Sequence, residues 1–388
     1  MSEVKKDFSP FKPGDKSRIC VPENMPGFEI PPLEKLVDKT VIVSHPSRVH
    51  ATVLDILQFS PANPAGGAIA LSVDDYPTLC EAKVKEGEGI FFGRDYHPES
   101  DHIARVFCEA VGYKGGLSLN IHSDVQNHQG KGSTSALMAS TAVALNELFN
   151  RPISQYNLRK LIGMNYVETA RKNEKEICFG LTTGSGVAAG FYGGIPVICD
   201  GIDIADIAQP PEDYRIMCFS PKLPCPKRDH PLRKNEEAAQ DNTRFTDDQI
   251  ISEKKLSDAK CKTVLMDFIP AMRKNDFKAM GEAMKKLNEY FLVPQVFKVF
   301  YPDSIQQLSG ILSKLGSFKS VDISGMSSMG PTMYATGFKS DLENLAGHLD
   351  EYIQVEPETL RIFGFSKGMR IWKNGEQYRL KYQRFAEG

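Results

Sequence analysis

The chain of 388 residues is long enough to bury one large core or two lobes, and its net charge of −2 argues against a general nucleic-acid binder. Eight scattered cysteines without a CxxC pair argue against a zinc framework and predict free, buried thiols in a reducing compartment. Met1 to Ser9 is charged, and no apolar run approaches the ~20 residues of a membrane span, so a soluble cytoplasmic protein without a membrane partner is expected.

In chain order, residues 1–40 are rich in Pro, Lys and Glu with little periodicity, and read as an irregular extension over the surface. Val41 to Ser44 reads as a strand that continues through His45 to Asp55, where Val49, Ala51 and Val53 alternate with Arg48, His50 and Thr52. One face of that strand is apolar and the other polar, the pattern of a strand lining a site. Ser60 to Gly67 is a turn and Ala68 to Val73 a buried strand, which makes the start of the fold antiparallel β. A helix over Asp101–Val111, a strand over Gly115–His122, a helix over Ser154–Asn165 and a strand over Tyr214–Ser220 complete a first lobe, residues 41–220.

Residues 221–262 change character. KLPCPKRDHP runs into KNEEAAQDNTRFTDDQ, highly charged and poorly periodic, so the segment reads as a connector whose residues 227–260 are dispensable for folding. A second lobe, 263–388, opens with Val264, Leu265, Phe268, Ile269 and Met272 on one helix and Phe277, Met280, Met284, Leu287 and Phe291 on another. A helix over Pro302–Leu315, a strand over Ser320–Ser324, a helix over 341–352, a strand over 360–365 and a charged tail follow.

The chemistry concentrates in Asn127 to Phe149, NHQGKGSTSALMASTAVALNELF. Ala136, Leu137, Ser140, Thr141, Ala144, Leu145 and Leu148 recur at helical spacing on one small, apolar face suited to a sheet. The loop ahead of it, Gly130, Lys131, Gly132, Ser133, Thr134 and Ser135, leaves backbone N–H groups unpaired beside the positive end of the helix dipole, where phosphate binds well. Lys131 adds a charge and the hydroxyls add donors. A plain Ser/Thr-capped helix after a flexible turn explains the stretch alone equally well. It is not a P-loop of the GxxxxGK type, because Gly132 follows Lys131 and Val125 stands where the first glycine belongs.

Three other segments share its small residues and hydroxyls: PSRVHATVLD (46–55), TTGSGVAAGFYGGIPVICDG (182–201) and SSMGPTMYATG (327–337). With QGKGSTSA (129–136), this set resembles the GHMP kinase superfamily, whose second motif is a glycine-serine loop at a helix start. At a finer level, SRVHATVLD and SSMGPTMYA resemble the beta-ribofuranosylaminobenzene 5'-phosphate synthases, the archaeal tetrahydromethanopterin branch of that superfamily, over roughly residues 41–338. The resemblance implies an α+β, two-lobed GHMP kinase fold, with an N-terminal lobe like a ribosomal-protein domain and an α/β C-terminal lobe. It also implies an enzyme that joins 4-aminobenzoate or 4-hydroxybenzoate to phosphoribosyl pyrophosphate, releasing carbon dioxide and pyrophosphate, with Mg²⁺ as cofactor and a homodimer as the expected assembly. Lys131 replaces the usual hydrophobic residue between the glycines, Ile202-Asp203 stands where glycine–histidine is expected, and an Arg-Val-Asp-Gly-Gly turn is reduced to Asn63-Pro64-Ala65-Gly66-Gly67.

On this resemblance Gly130 to Ser135 hold the pyrophosphate. Ser47, Thr183, Gly184, Ser185, Gly186, Ser328, Gly330 and Thr332 bind substrate, and Arg48, His50 and Asp55 are the catalytic candidates. Arg48 offers a planar fork for a carboxylate or phosphate, against the plainer role of a surface ion-pair arginine. His50 fits either a substrate oxygen or a core histidine, and Asp55 either a Mg²⁺ ligand or a turn cap. Asp200 ends a strand and fits a turn. His122 and His128 flank the loop without a third ligand, so no metal set is identified. An ATP-dependent small-molecule kinase using the same loop is the alternative reading, and a silent binding protein a third.

Overall fold

In a computed structural model of the chain, the described residues are 6–22, 31–32, 35–36, 39–123, 132–170, 173–199, 201–223 and 247–382, apart from the Tyr76 side chain. The Val- and Thr-rich run predicted as a strand forms β1 (Thr40–Val53). It is followed by β2 (Ala68–Lys85), β3 (Gly89–Phe92), α1 (Pro98–Val111), β4 (Gly116–Ser123), α2 (Ser133–Leu148) and α3 (Gln155–Met164). Next come β5 (Val167–Thr169), β6 (Ile177–Phe179), α4 (Ser185–Tyr192), β7 (Ile195–Ile198), β8 (Ile204–Ala208) and β9 (Tyr214–Phe219).

After residue 246 come α5 (Asp247–Thr263), α6 (Phe277–Phe291), α7 (Ile305–Ser317), β10 (Ser324–Met326), β11 (Met333–Phe338), α8 (Lys339–Tyr352), β12 (Arg361–Gly364), β13 (Arg370–Lys373) and β14 (Glu376–Arg379). Two sheets result. The larger has the order β14-β13-β1-β2-β4-β3, with β7 on β2 and β8 on β7; the smaller has the order β10-β11-β9-β12, and β5 and β6 pair with each other apart from both. The fold is α+β and two-lobed, as expected.

The lobes exchange strands across the predicted boundaries. β9 lies within residues 41–220 but pairs β11 and β12 in the second sheet. Conversely, the tail read as merely charged folds as the β13–β14 hairpin and pairs β1 in the first sheet. Its turn is Asn374-Gly375, with φ of 54° and 81°, the left-handed pair that matches the twist of a two-residue hairpin.

β1 also changes face along its length. Val41 and Val43 belong to the core shared with α1–α3, whereas Val49 and Ala51 belong to the core shared with β9, β11 and α6. The pairing with β2 is irregular between His45 and Ser47, where five residues of β2 pass against two of β1. An irregularity of this kind re-aims every side chain beyond it. His45 therefore meets Gly190 of α4 from an odd position, while Arg48 meets Gly186 of the same helix from an even one.

Three other expectations are corrected. α2 is buried from Ser135 to Leu148, not along a single face, because α1, α3 and α4 cover what the sheet does not. The connector ends earlier than residue 262: from Asp247 onward the charged segment is α5, with Gln249, Glu253 and Lys260 buried. Residues 224–246 of that segment lie outside the described ones. After α5 the chain makes a π-helical turn, Val264–Phe268, before Ile269–Arg273. The extra residue per turn shifts the apolar stripe, so Val264, Phe268 and Met272 enter the core while Leu265 is 64% exposed.

The N-terminal extension is more than a loose cover. Phe11 pairs with Ile177 of β6 and is buried between His102 and Phe179, a burial that contributes about 1.5–3 kcal/mol. Asn165 holds Cys20 by accepting from its N–H at 2.8 Å and donating to its carbonyl at 2.7 Å. The seven described cysteines are free thiols; Cys80 and Cys218 are buried, while Cys199 and Cys261 are exposed. No helix among the described residues is long and apolar enough to cross a membrane.

Candidate active site

Two helices begin against the even-numbered face of β1. α2 starts at Gly132, with φ 76° and ψ 37°, and α4 starts at Gly184, with φ 72° and ψ −6°. Only glycine adopts these left-handed angles without strain, and a glycine cap has no side chain to accept from the first-turn N–H groups. Both helix starts therefore present backbone donors and the positive ends of their dipoles.

Arg48 lies between them. A Cβ on Gly132 would stand 2.9 Å from Cγ and Nε of Arg48, and one on Gly186 would stand 3.3 Å from its Nε and 2.5 Å from Ser135 Oγ. The two glycines thus let the guanidinium and the Ser135 hydroxyl come together. Burial pushes the Arg48 pKa down, and the charge nevertheless persists because a guanidinium starts so high.

His50, two residues along, is 6% exposed. Its Nε2 is 3.4 Å from Thr183 Oγ1, which donates to Ser185 Oγ at 2.8 Å. Its backbone is clamped from the other lobe: His50 N–H donates to Ser327 Oγ at 3.1 Å, and Ser328 N–H donates to the His50 carbonyl at 2.8 Å. Burial, with the Arg48 charge adding to it, holds the imidazole pKa well below its ordinary value, so the ring is neutral.

Tyr166 completes the cluster. It is buried near the hydroxyls of Ser135 and Thr134, and its own hydroxyl donates to Glu168 Oε1 at 3.5 Å. Burial, then the Glu168 charge, raise its pKa and keep the phenol neutral. The arrangement of two dipole ends, one guanidinium and several hydroxyls can hold a multiply charged anion.

Against known proteins, the family described as GHMP kinases N terminal domain matches residues 100–194, the stretch that contains α2 and α4. A β-ribofuranosylphenol 5'-phosphate synthase of Methanocaldococcus jannaschii is 24% identical, covering 86% of this chain and all of the relative. A second synthase of that name, from Archaeoglobus fulgidus, is 25% identical over 75% of this chain and 85% of its own. Residues 100–194 are thus similar to the GHMP kinases, and the fold of the chain is of that kind. Solved GHMP folds agree: Lactococcus lactis galactokinase has a TM-score of 0.58 at 13% identity, covering 86% of this chain and 95% of its own. Mevalonate diphosphate decarboxylase from Enterococcus faecalis has a TM-score of 0.56 at 13% identity, covering 87% and 99%. At such identity these structures speak for the fold alone.

Within this GHMP fold most of the expected site residues converge. Arg48, His50, Gly132, Ser133, Thr134, Ser135, Thr183, Gly184, Ser185, Gly186 and Ser328 lie on the elements around β1, and Ser47 is buried in that strand. Gly330 and Thr332 shape the 327–332 loop: Gly330, at φ 79°, donates to the Ser327 carbonyl, and Thr332 accepts from Ser327 N–H. Asp55 is placed apart from the cluster, beyond the end of β1. Its carboxylate accepts from Leu57 N–H at 2.9 Å and from the Gln58 amide at 3.2 Å, the work of a turn cap. Gly130, Lys131, His128 and Asp200 lie outside the described residues. Sequence reasoning missed Tyr166, Glu168 and Ser327. Tyr166 and Glu168 sit at a three-residue strand too short to show a period, so only their spacing on one polar face hinted at them.

Proposed function

We propose that this chain catalyses a decarboxylating phosphoribosyl transfer, joining a 4-substituted benzoate to phosphoribosyl pyrophosphate with release of carbon dioxide and pyrophosphate. The observation that carries this reading is the match to named synthases over nearly the whole chain. Their product name contains a phenol, which favours 4-hydroxybenzoate over 4-aminobenzoate as acceptor. The likeness to kinases carries the fold and not the reaction. A cytoplasmic homodimer accompanies the proposal.

In this reading the N–H groups and hydroxyls of Gly132–Ser135 receive the diphosphate, and Arg48 receives the carboxylate or the 5'-phosphate with its planar fork. As the anomeric C–O bond breaks, negative charge grows on the leaving pyrophosphate, where donors fixed by the α2 backbone need no rearrangement. The ring carbon bearing the carboxylate attacks, and carbon dioxide leaves as aromaticity returns. No group of three or more His, Cys, Asp or Glu suited to a metal occurs among the described residues. The Glu168 carboxylate and the hydroxyls near it instead fit a Mg²⁺ ion that arrives on the diphosphate, since Mg²⁺ commonly takes one or two carboxylates plus substrate phosphates. When bound, that ion would neutralise leaving-group charge.

Incubation with phosphoribosyl pyrophosphate, Mg²⁺ and carboxyl-labelled 4-hydroxybenzoate should release labelled carbon dioxide. ATP turnover with a small alcohol, and none with the benzoate, would replace this reading by the kinase one. In the same assay, Gly132→Ala should lower kcat/KM about tenfold or more, because the new methyl would displace Arg48. The left-handed backbone adds a stability cost of about 1–2 kcal/mol, visible in the melting temperature. Unchanged efficiency would show that the Gly132–Arg48 approach plays no part in the site.

A further inference from the structure

At the centre of the site, Nδ1 of His50 is buried and has no hydrogen-bond partner among the described residues. A buried polar atom in that condition costs stability and calls for an explanation. The neighbouring network fixes what this atom can do. Thr183 Oγ1 gives its single proton to Ser185 Oγ and also receives Ser185 N–H at 3.3 Å. Towards His50 it can therefore only accept, which puts the imidazole proton on Nε2 and leaves a lone pair on Nδ1. The backbone clamps from Ser327 and Ser328 hold the residue on both sides. A lone pair repels carboxylate and phosphate oxygens and accepts from a donor, and a substrate hydroxyl is such a donor.

We propose that Nδ1 of His50 accepts a hydrogen bond from a substrate hydroxyl, either the aryl hydroxyl of the acceptor or a ribose hydroxyl of the phosphoribosyl donor, and so selects substrates with a proton to give at that point. This deepens the synthase reading and rests on it. His50 is on this view a specificity residue that reads a donor, distinct from Arg48, which reads charge. The neutral ring beside a guanidinium suits acceptance of a hydrogen bond and not removal of the proton.

The test compares His50→Asn, which keeps an acceptor near the Nδ1 position, with His50→Gln, which keeps only a group near Nε2 for Thr183. Binding of 4-hydroxybenzoate, 4-methoxybenzoate and phosphoribosyl pyrophosphate is measured by calorimetry. His50→Gln should lose about tenfold or more in affinity for one ligand while His50→Asn stays within a few-fold of wild type. A loss confined to 4-hydroxybenzoate, with 4-methoxybenzoate already weak on wild type, identifies the aryl hydroxyl. A loss confined to phosphoribosyl pyrophosphate identifies the ribose. Equal behaviour of the two variants, or no loss in either, overturns the assignment while leaving the synthase reading intact. A wild-type protein that binds none of the three ligands overturns both.

If a variant does not fold, wild-type protein labelled with ¹⁵N-histidine answers the same question. The His50 Nδ1 resonance should be that of an unprotonated ring nitrogen and should move on addition of the ligand. A protonated Nδ1, or a resonance unmoved by either substrate, counts against the proposal.

Discussion

Arg48→Lys should lose nearly as much catalytic efficiency as Arg48→Ala, about 100-fold or more in kcat/KM with the labelled benzoate. The reason is geometric. Arg48 reaches its place between Gly132 and Gly186 because neither glycine has a Cβ, and its planar fork can serve both helix starts at once. A lysine ammonium is a point charge on a flexible stem, so the anion would keep its counter-charge and lose its position. An anion held off-position also misplaces the attacking ring carbon. Both variants should remain folded, since Val49 and Ala51 supply the core contacts of that stretch. Arg48→Ala adds a modest loss of packing between the two loops. Near wild-type efficiency in Arg48→Lys would reduce Arg48 to a structural charge and send the search for the carboxylate partner to the loops around Ser185 and Ser328.

Much of this arrangement was legible in the residues because glycine constrains backbone more sharply than any other residue does. Gly132 and Gly184 announce left-handed helix starts, and the alternation through Arg48 and His50 announces a strand with one polar face. The local signal does not reveal which elements meet. Tyr166 and Glu168 join the site only through the packing of a three-residue strand, and Asp55 leaves it because two donors just downstream, Leu57 N–H and the Gln58 amide, claim its carboxylate.

In the fold, the local pattern misleads twice. The β13–β14 hairpin carries an Asn-Gly turn, the strongest short hairpin signal, yet its charged flanks disguise strands whose stability comes from pairing with β1. Helical phase puts Leu265 in a core, and a single π turn places it in solvent.

Charge density was also the reason to expect residues 227–260 to be dispensable, and Lys260 is where that expectation should fail most visibly. Lys260 and Glu253 are both fully buried, with Nζ and Oε1 2.5 Å apart. Lys260 also donates to the Val53 carbonyl at 3.2 Å, while Glu253 accepts from Ile56 N–H and from the Gln295 amide, each at 3.0 Å. Burial pushes the lysine pKa down and the Glu253 carboxylate opposes that shift. Lys260→Met preserves length but strands a buried carboxylate, which should cost about 3–5 kcal/mol in guanidinium unfolding. Adding Glu253→Gln should recover much of that loss, because a neutral amide oxygen can still accept from Ile56 N–H and no charge is left unpaired. The pair ties α5 to the end of β1, three residues beyond His50, so the single variant should also lower activity before it unfolds. A Lys260→Met variant within about 1 kcal/mol of wild type, or a double variant as unstable as the single, would mean that α5 is held by its apolar contacts and not by this pair.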